Sequence, residues 1–164
     1  MLKTFTTLAL IATPAIVMAA PMSNSAYVMK AGASDMFEIQ SSQAVMDSQD
    51  PKIKDFANMM VQDHTQSTAD VKAAAAEANV TVAPPKLTPK QSRDLAALTK
   101  ATGAQRDALY VKQQKVSHQE ALTLHQGYAN DGKAAPLKAV AAKIVPVVQH
   151  HIEMLGSMGS TGAM

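Results

Sequence analysis

The sequence predicts an all-α protein, an up-and-down four-helix bundle of ferritin-like kind with a short extra helix before the third long one. Three observations carry that expectation. Apolar residues recur three and four apart through four long segments, no stretch alternates apolar and polar residues like a half-buried strand, and proline, glycine and capping residues stand where helices start and stop. Alanine is abundant and aromatic residues make up only 4%.

The chain opens on a segment of a different character. Lys3 is followed by an uncharged run from Leu8 to Val17 and by Val17-Met18-Ala19, which together read as a secretory signal peptide over residues 1–19. Pro21 after Ala20 would hinder a peptidase, which places the cut after Ala19. The apolar run is shorter than the roughly 20 residues that span a bilayer, so no stable membrane insertion is expected. The protein has no cysteine, which excludes a lipid-modified N-terminal cysteine, disulfides, a thiol nucleophile and a thiolate metal site. The expected location is the periplasm or the medium. Removing Lys3 takes Lys+Arg from 15 to 14 against 13 Asp+Glu, a balance too even for nucleic acid as a partner. Nothing points to a protein partner or to an oligomeric state.

Residues 20–25 are expected to be flexible, 26–158 to form one domain and 159–164 to be a flexible tail. A first helix is predicted from Ser25 to Asp47, with Tyr27, Ala31, Ser34, Glu38, Ser42 and Val45 along one face. Asp50 and Pro51 suit the N-cap and first position of a second helix carrying Ile53, Phe56, Ala57, Met60, His64, Ser67, Val71, Ala74 and Ala78, which stops near Asn79. Val80 to Leu87, with Pro84-Pro85, reads as an extended crossing. Thr88-Pro89-Lys90-Gln91 is a capping-box signal for a short helix through Lys100. A third long helix runs from Ala104 to Asp131, where Gly132 stops it. The fourth opens at Pro136, with Leu137, Val140, Ile144, Val148, His151, Leu155 and Met158 on its inner face and a kink expected at Pro146.

By helical phase, four polar residues point inward: Glu38, His64, His118 and His151, one per long helix. At about 1.5 Å per residue, Glu38 and His64 stand roughly 18 to 21 Å from the first turn, and His118 and His151 roughly 21 to 28 Å from the same end. They can therefore meet near mid-bundle. One carboxylate and three imidazoles suit one divalent transition metal ion, such as zinc, copper, nickel or iron, and suit calcium or magnesium poorly. Asp63, Asp107, Tyr110 and Gln114 are candidates to support these ligands. His150 beside His151 is an alternative ligand, although neighbours on a helix diverge by about 100°. His125 is expected at the solvent edge. Most of the 11 methionines fall on packing stripes. A second reading stays open, in which the inward groups form a metal-free hydrogen-bonded core. No phosphate loop, nucleophile elbow or paired Glu-x-x-His motif is present, so no catalytic residue is identified.

The order Phe37-Glu38, Phe56-Ala57-Asn58-Met59-Met60-Val61-Gln62-Asp63-His64, Asp107-Ala108-Leu109-Tyr110 with His118, and Pro146 with His151-Ile152 resembles the exported bacterial family known as domain of unknown function 4142. The resemblance covers Ala26 to Met158. It implies a ferritin-like four-helix fold and marks Glu38, Asp63, His64, Tyr110, His118 and His151 as motif positions, without supplying an activity. Val61, Lys115 and Val148 stand where Glu-x-x-His motifs would need glutamates, which argues against a ferritin-type di-iron centre. The sequence thus points to an exported metal-binding helical protein in envelope metal handling or stress tolerance, or to a metal-free interaction or stress protein with a polar core.

Overall fold

A computed structural model describes residues 21–158, and the predicted signal segment and tail lie outside these residues. The described residues form five helices and no strand: α1 (Asn24–Gln43), α2 (Pro51–Glu77), α3 (Pro89–Lys100), α4 (Gly103–Asp131) and α5 (Ala135–Met158).

The helix ends follow from local chemistry. The Ser23 hydroxyl accepts from Ala26 N at 3.2 Å, which starts α1 at Asn24, one residue before the predicted Ser25. That helix ends at Gln43, four residues short of the predicted Asp47. Val45, Met46 and Ser48 instead donate to carbonyls three residues back, and the tighter winding keeps Val45 wholly buried. Asp50 accepts from Lys52 N at 2.9 Å, with Pro51 at the first position of α2. At its other end Asn79 adopts φ 55°, Asn79 N bonds Ala76 O at 3.0 Å and Val80 N bonds Ala75 O at 2.8 Å, the Schellman arrangement. Both halves of the Thr88–Gln91 capping box are formed at α3. Gly103, at φ 55°, lets the chain turn from α3 into α4. α5 continues through the exposed Pro146 as one helix.

Each of the four long helices packs against two others: α1 on α2 and α4, and α5 on α2 and α4; α3 leans on α1 and α4. Two apolar clusters result. One gathers Tyr27, Ala31, Val71, Ala121, Tyr128, Leu137 and Ile144, and the other Val45, Ile53, Phe56, Met60, Leu98, Tyr110 and Leu155. Along every long helix, buried polar residues fall between the two: Asp35 to Ser42, His64 to Ser67, Gln114 to His118, and His151. The polar groups therefore form a layer across the middle of the domain.

The same order fixes helix direction. Along α1 and α5 the first cluster precedes the second, and along α2 and α4 the second precedes the first. Each helix is thus antiparallel to both its packing neighbours, but α2 and α4, consecutive in the chain, run the same way. The alternating up-and-down order expected from the sequence does not occur. The segment between them returns the chain along the outside of α1. It passes Gly32, where an added Cβ would come within 3.0 Å of Pro85, then Ala33, whose carbonyl accepts from the Gln91 side chain, and reaches the second cluster at Leu98. An extended run followed by a three-turn helix has the reach for this, whereas a tight turn does not.

Candidate metal centre

His64 of α2, His118 of α4 and His151 of α5 meet in the polar layer, all buried, with one ring nitrogen from each lying within 4.8 Å of the others. Their ring centroids are 5.3 to 5.7 Å apart. The outward nitrogens are each held. His64 Nδ1 donates to Asp35 Oδ1 at 2.8 Å, His118 Nδ1 to the Gln114 carbonyl at 2.8 Å, and His151 Nε2 to Asp63 Oδ2 at 3.0 Å.

These partners fix the tautomers, because a carbonyl or a carboxylate only accepts. In the neutral rings His64 Nε2, His118 Nε2 and His151 Nδ1 then carry lone pairs. His118 Nε2 and His151 Nδ1 face each other at 3.3 Å, a separation at which two acceptors repel unless a cation lies between them. His64 Nε2 is buried without a hydrogen-bond partner. Nitrogens bound at 2.0–2.1 Å to a tetrahedral zinc ion stand about 3.3 Å apart, so one edge of such a site has its spacing already. An imidazole whose far N–H is anchored on a carboxylate or carbonyl is the usual arrangement of a metal-ligating histidine.

Protonation follows from burial and neighbours. Burial pushes His118 down to about 3, helped by the charge of His64, and pushes His151 down to about 4 against the effect of the hydrogen bond it donates to Asp63. Both are therefore neutral at ordinary pH. Burial alone would also lower His64, but the hydrogen bond and charge of Asp35, with the charges of Glu38 and Asp63, outweigh it and raise His64. A proton thus competes with an ion for His64.

Glu38 stands beside the three rings rather than among the converging nitrogens. It is wholly buried, neither oxygen has a hydrogen-bond partner, and Oε1 lies 3.7 Å from His118 Nδ1, the nitrogen that faces Gln114. Burial raises its carboxyl to about 7, opposed by the charge of His64 and the nearby Ser117 and Gln114 side chains.

The other predicted residues divide. Asp63 and Gln114 support the trio, Gln114 through its backbone carbonyl, while its side chain donates to Ser41 Oγ at 2.9 Å. Tyr110 lies two turns from His118, its hydroxyl 2.7 Å from Ser42 Oγ and its ring edge-on to Phe56. Asp107 is no part of the centre: it accepts from Ser48 Oγ at 2.6 Å, about 16 Å along α4 from His118. His150 is exposed and outside the group. His125 is not at the solvent edge. It is 2% exposed, and its Nδ1 lies 3.0 Å from the Tyr27 hydroxyl. Sequence reasoning missed Asp35, which anchors His64 and also accepts from Thr68 Oγ1 at 3.0 Å. Its spacing was a usable signal, for it lies one turn before Glu38 on the same face.

Two solved structures share this fold. A DUF305 protein from Streptomyces coelicolor superposes with a TM-score of 0.70 at 14% identity, covering 83% of this chain and 91% of its own. A DUF305 fragment from Deinococcus radiodurans does so at 0.71 and 14% identity, covering 85% and 97% respectively. No curated protein matches the sequence. Residues 12–158 match the family described as Domain of unknown function (DUF4142), and the chain belongs to that family.

Proposed function

We propose that this protein binds one divalent transition metal ion, zinc, copper, nickel or iron, through His64, His118 and His151, and serves metal handling or stress tolerance in the cell envelope. The observation that carries the reading is the convergence of three buried imidazole nitrogens whose far sides are anchored, two of them as opposed lone pairs 3.3 Å apart. Glu38 supplies buried negative charge beside the ion. The four long helices are read as a ferritin-like four-helix bundle, supported by their antiparallel packing neighbours and by one long crossover between α2 and α4. Val61, Lys115 and Val148 leave no Glu-x-x-His pair, so a di-iron oxidase is not part of the proposal.

A metal-free polar core has a specific observation in its favour, since the His64–Asp35 and His151–Asp63 bonds are complete without an ion. It leaves Glu38 and His64 Nε2 unpaired, which costs about 1–3 kcal/mol for each such group. The ion-bound reading avoids that cost at His64. A calorimetric titration separates the two. At a hundred times its dissociation constant a bound ion stabilises the fold by about 2.7 kcal/mol, and His64→Ala abolishes the gain. No saturable binding of zinc, copper, nickel or iron by the wild type would rule the metal reading out.

Export rests on residues 1–19, and no helix among the described residues is long and apolar enough to cross a membrane. The protein recovered from the periplasm or medium should begin at Ala20 by intact mass. A chain that keeps Met1 there would refute the signal peptide.

A further inference from the structure

Between α2 and α5 a pocket of about 110 Å³ opens beside His64 and His151, lined by these two with Ser67, Asp70, Lys143 and Val147 among others. Two of its lining residues hold a polar atom without a hydrogen-bond partner, and one of those atoms, His64 Nε2, is already offered to the ion. Ser67, 9% exposed, holds its Oγ buried without a hydrogen-bond partner, and His64 Nε2 is likewise unpaired. Ser67 follows His64 by three residues on α2, so the hydroxyl and the imidazole lie on one face of that helix. At the outer end, Lys143 Nζ pairs with Asp70 Oδ2 at 2.8 Å, and Val147 is 40% exposed.

From this arrangement we infer that the centre has an open coordination position that takes a small exogenous ligand, a nitrogen- or oxygen-donor molecule of two to four heavy atoms. The molecule enters through the α2–α5 pocket and is hydrogen-bonded by Ser67 Oγ. The inference rests on the metal reading above and adds what the ion does with its remaining valence. Three protein ligands are one fewer than a closed tetrahedral site has, and a site with three protein nitrogens characteristically keeps its fourth position for water or another small molecule. Pocket size sets the class of ligand: drug-sized molecules need roughly 300–1,000 Å³, well beyond what is available here. Polarity sets it as well, because a buried hydroxyl beside the free valence rewards a ligand with a lone pair to accept from it or a proton to give it. The step is ligand exchange alone, an incoming donor replacing water on the ion, with no change in oxidation state.

Azide is a suitable probe, and cobalt(II) in the full protein a suitable spectroscopic ion. With one equivalent of cobalt bound at pH 7.5, azide is expected to shift the visible absorption bands saturably. Ser67→Ala should weaken azide binding about tenfold, the loss of one hydrogen bond to an ionised ligand, while cobalt affinity stays within twofold of the wild type. Val147→Trp, which fills the outer end of the pocket from a partly exposed position, should suppress the azide response and retain cobalt. Cobalt that binds stoichiometrically but shows an unchanged spectrum in azide overturns this inference and leaves the metal reading standing. An azide affinity unaltered in both variants also overturns it, because the ligand would then reach the ion by another route. Failure of cobalt, zinc, copper, nickel and iron alike to bind overturns both readings, and calorimetry in the absence of azide identifies that case.

Discussion

Asp35 carries more of the centre than its place in the sequence suggests. It is 2% exposed, it fixes the His64 tautomer, and with Thr68 it holds the imidazole in place. Removing such a carboxylate typically costs 10–100-fold in metal affinity. Asp35→Ala should therefore bind one ion with affinity reduced by that factor in calorimetry, and an unchanged affinity would detach Asp35 from the centre. Asp35 escaped the sequence reading for a geometric reason. The inner face of the first helix was drawn through Ser34, which is half-buried, whereas the next residue, about 100° further round the helix, is the buried one. His125 was misplaced for a different reason. An imidazole hydrogen-bonded to Tyr27 and stacked edge-on to its ring buries without penalty, and no local pattern announces a partner 98 residues away.

Helix boundaries were legible wherever a single residue decides them. Asp50 with Pro51, Thr88 with Gln91, and Asn79 all act through bonds within a few positions, so their chemistry is complete in a short stretch of sequence. The end of α1 was not, because Val45 continues the apolar phase of the helix while the backbone has already tightened around it. Asn79 offers the cleanest test. Its φ of 55° is tolerated by Asn and Gly and resisted by β-branched side chains, so Asn79→Val should lower stability by about 1–2 kcal/mol in denaturant, with Asn79→Gly near neutral. Equal stabilities would mean that the cap adds nothing to α2.

At the scale of the whole molecule, three of the four predicted ligands come together even though the expected alternating up-and-down course does not occur. His118 lies close to the middle of α4, so its level is the same whichever way that helix runs. Direction depends on what the α2–α4 connection does, and the length of that segment alone is compatible with either course. Acid offers a test at this scale. Burial pushes His125 down to about 4, against 6.5 in the unfolded chain. Between those values the unfolded state binds the extra proton, so stability is full above pH 6.5 and falls as the pH drops towards 4, by about 3 kcal/mol for this residue. His118 and His151 act in the same direction, while Glu38 and His64, both raised, act in the opposite one and offset part of the loss. Denaturation of chelator-treated protein at pH 7 and pH 4.5 should show the loss, and a flat profile would contradict the burial of these rings.

The polar layer that separates the two apolar clusters also bears on cooperativity. Tyr27 and Phe56 belong to separate apolar clusters, and apart from Phe37 the large buried side chains at the level between them are polar, so the two ends of the domain are coupled largely through serine, glutamine, carboxylate and imidazole groups. Without an ion, the ends should behave as partly independent opening units. Amide exchange in the metal-free protein should then report different opening free energies around Val71–Ala75 and around Ile53–Met60. An ion joining α2, α4 and α5 at the layer would merge them, and the two exchange regimes should collapse into one.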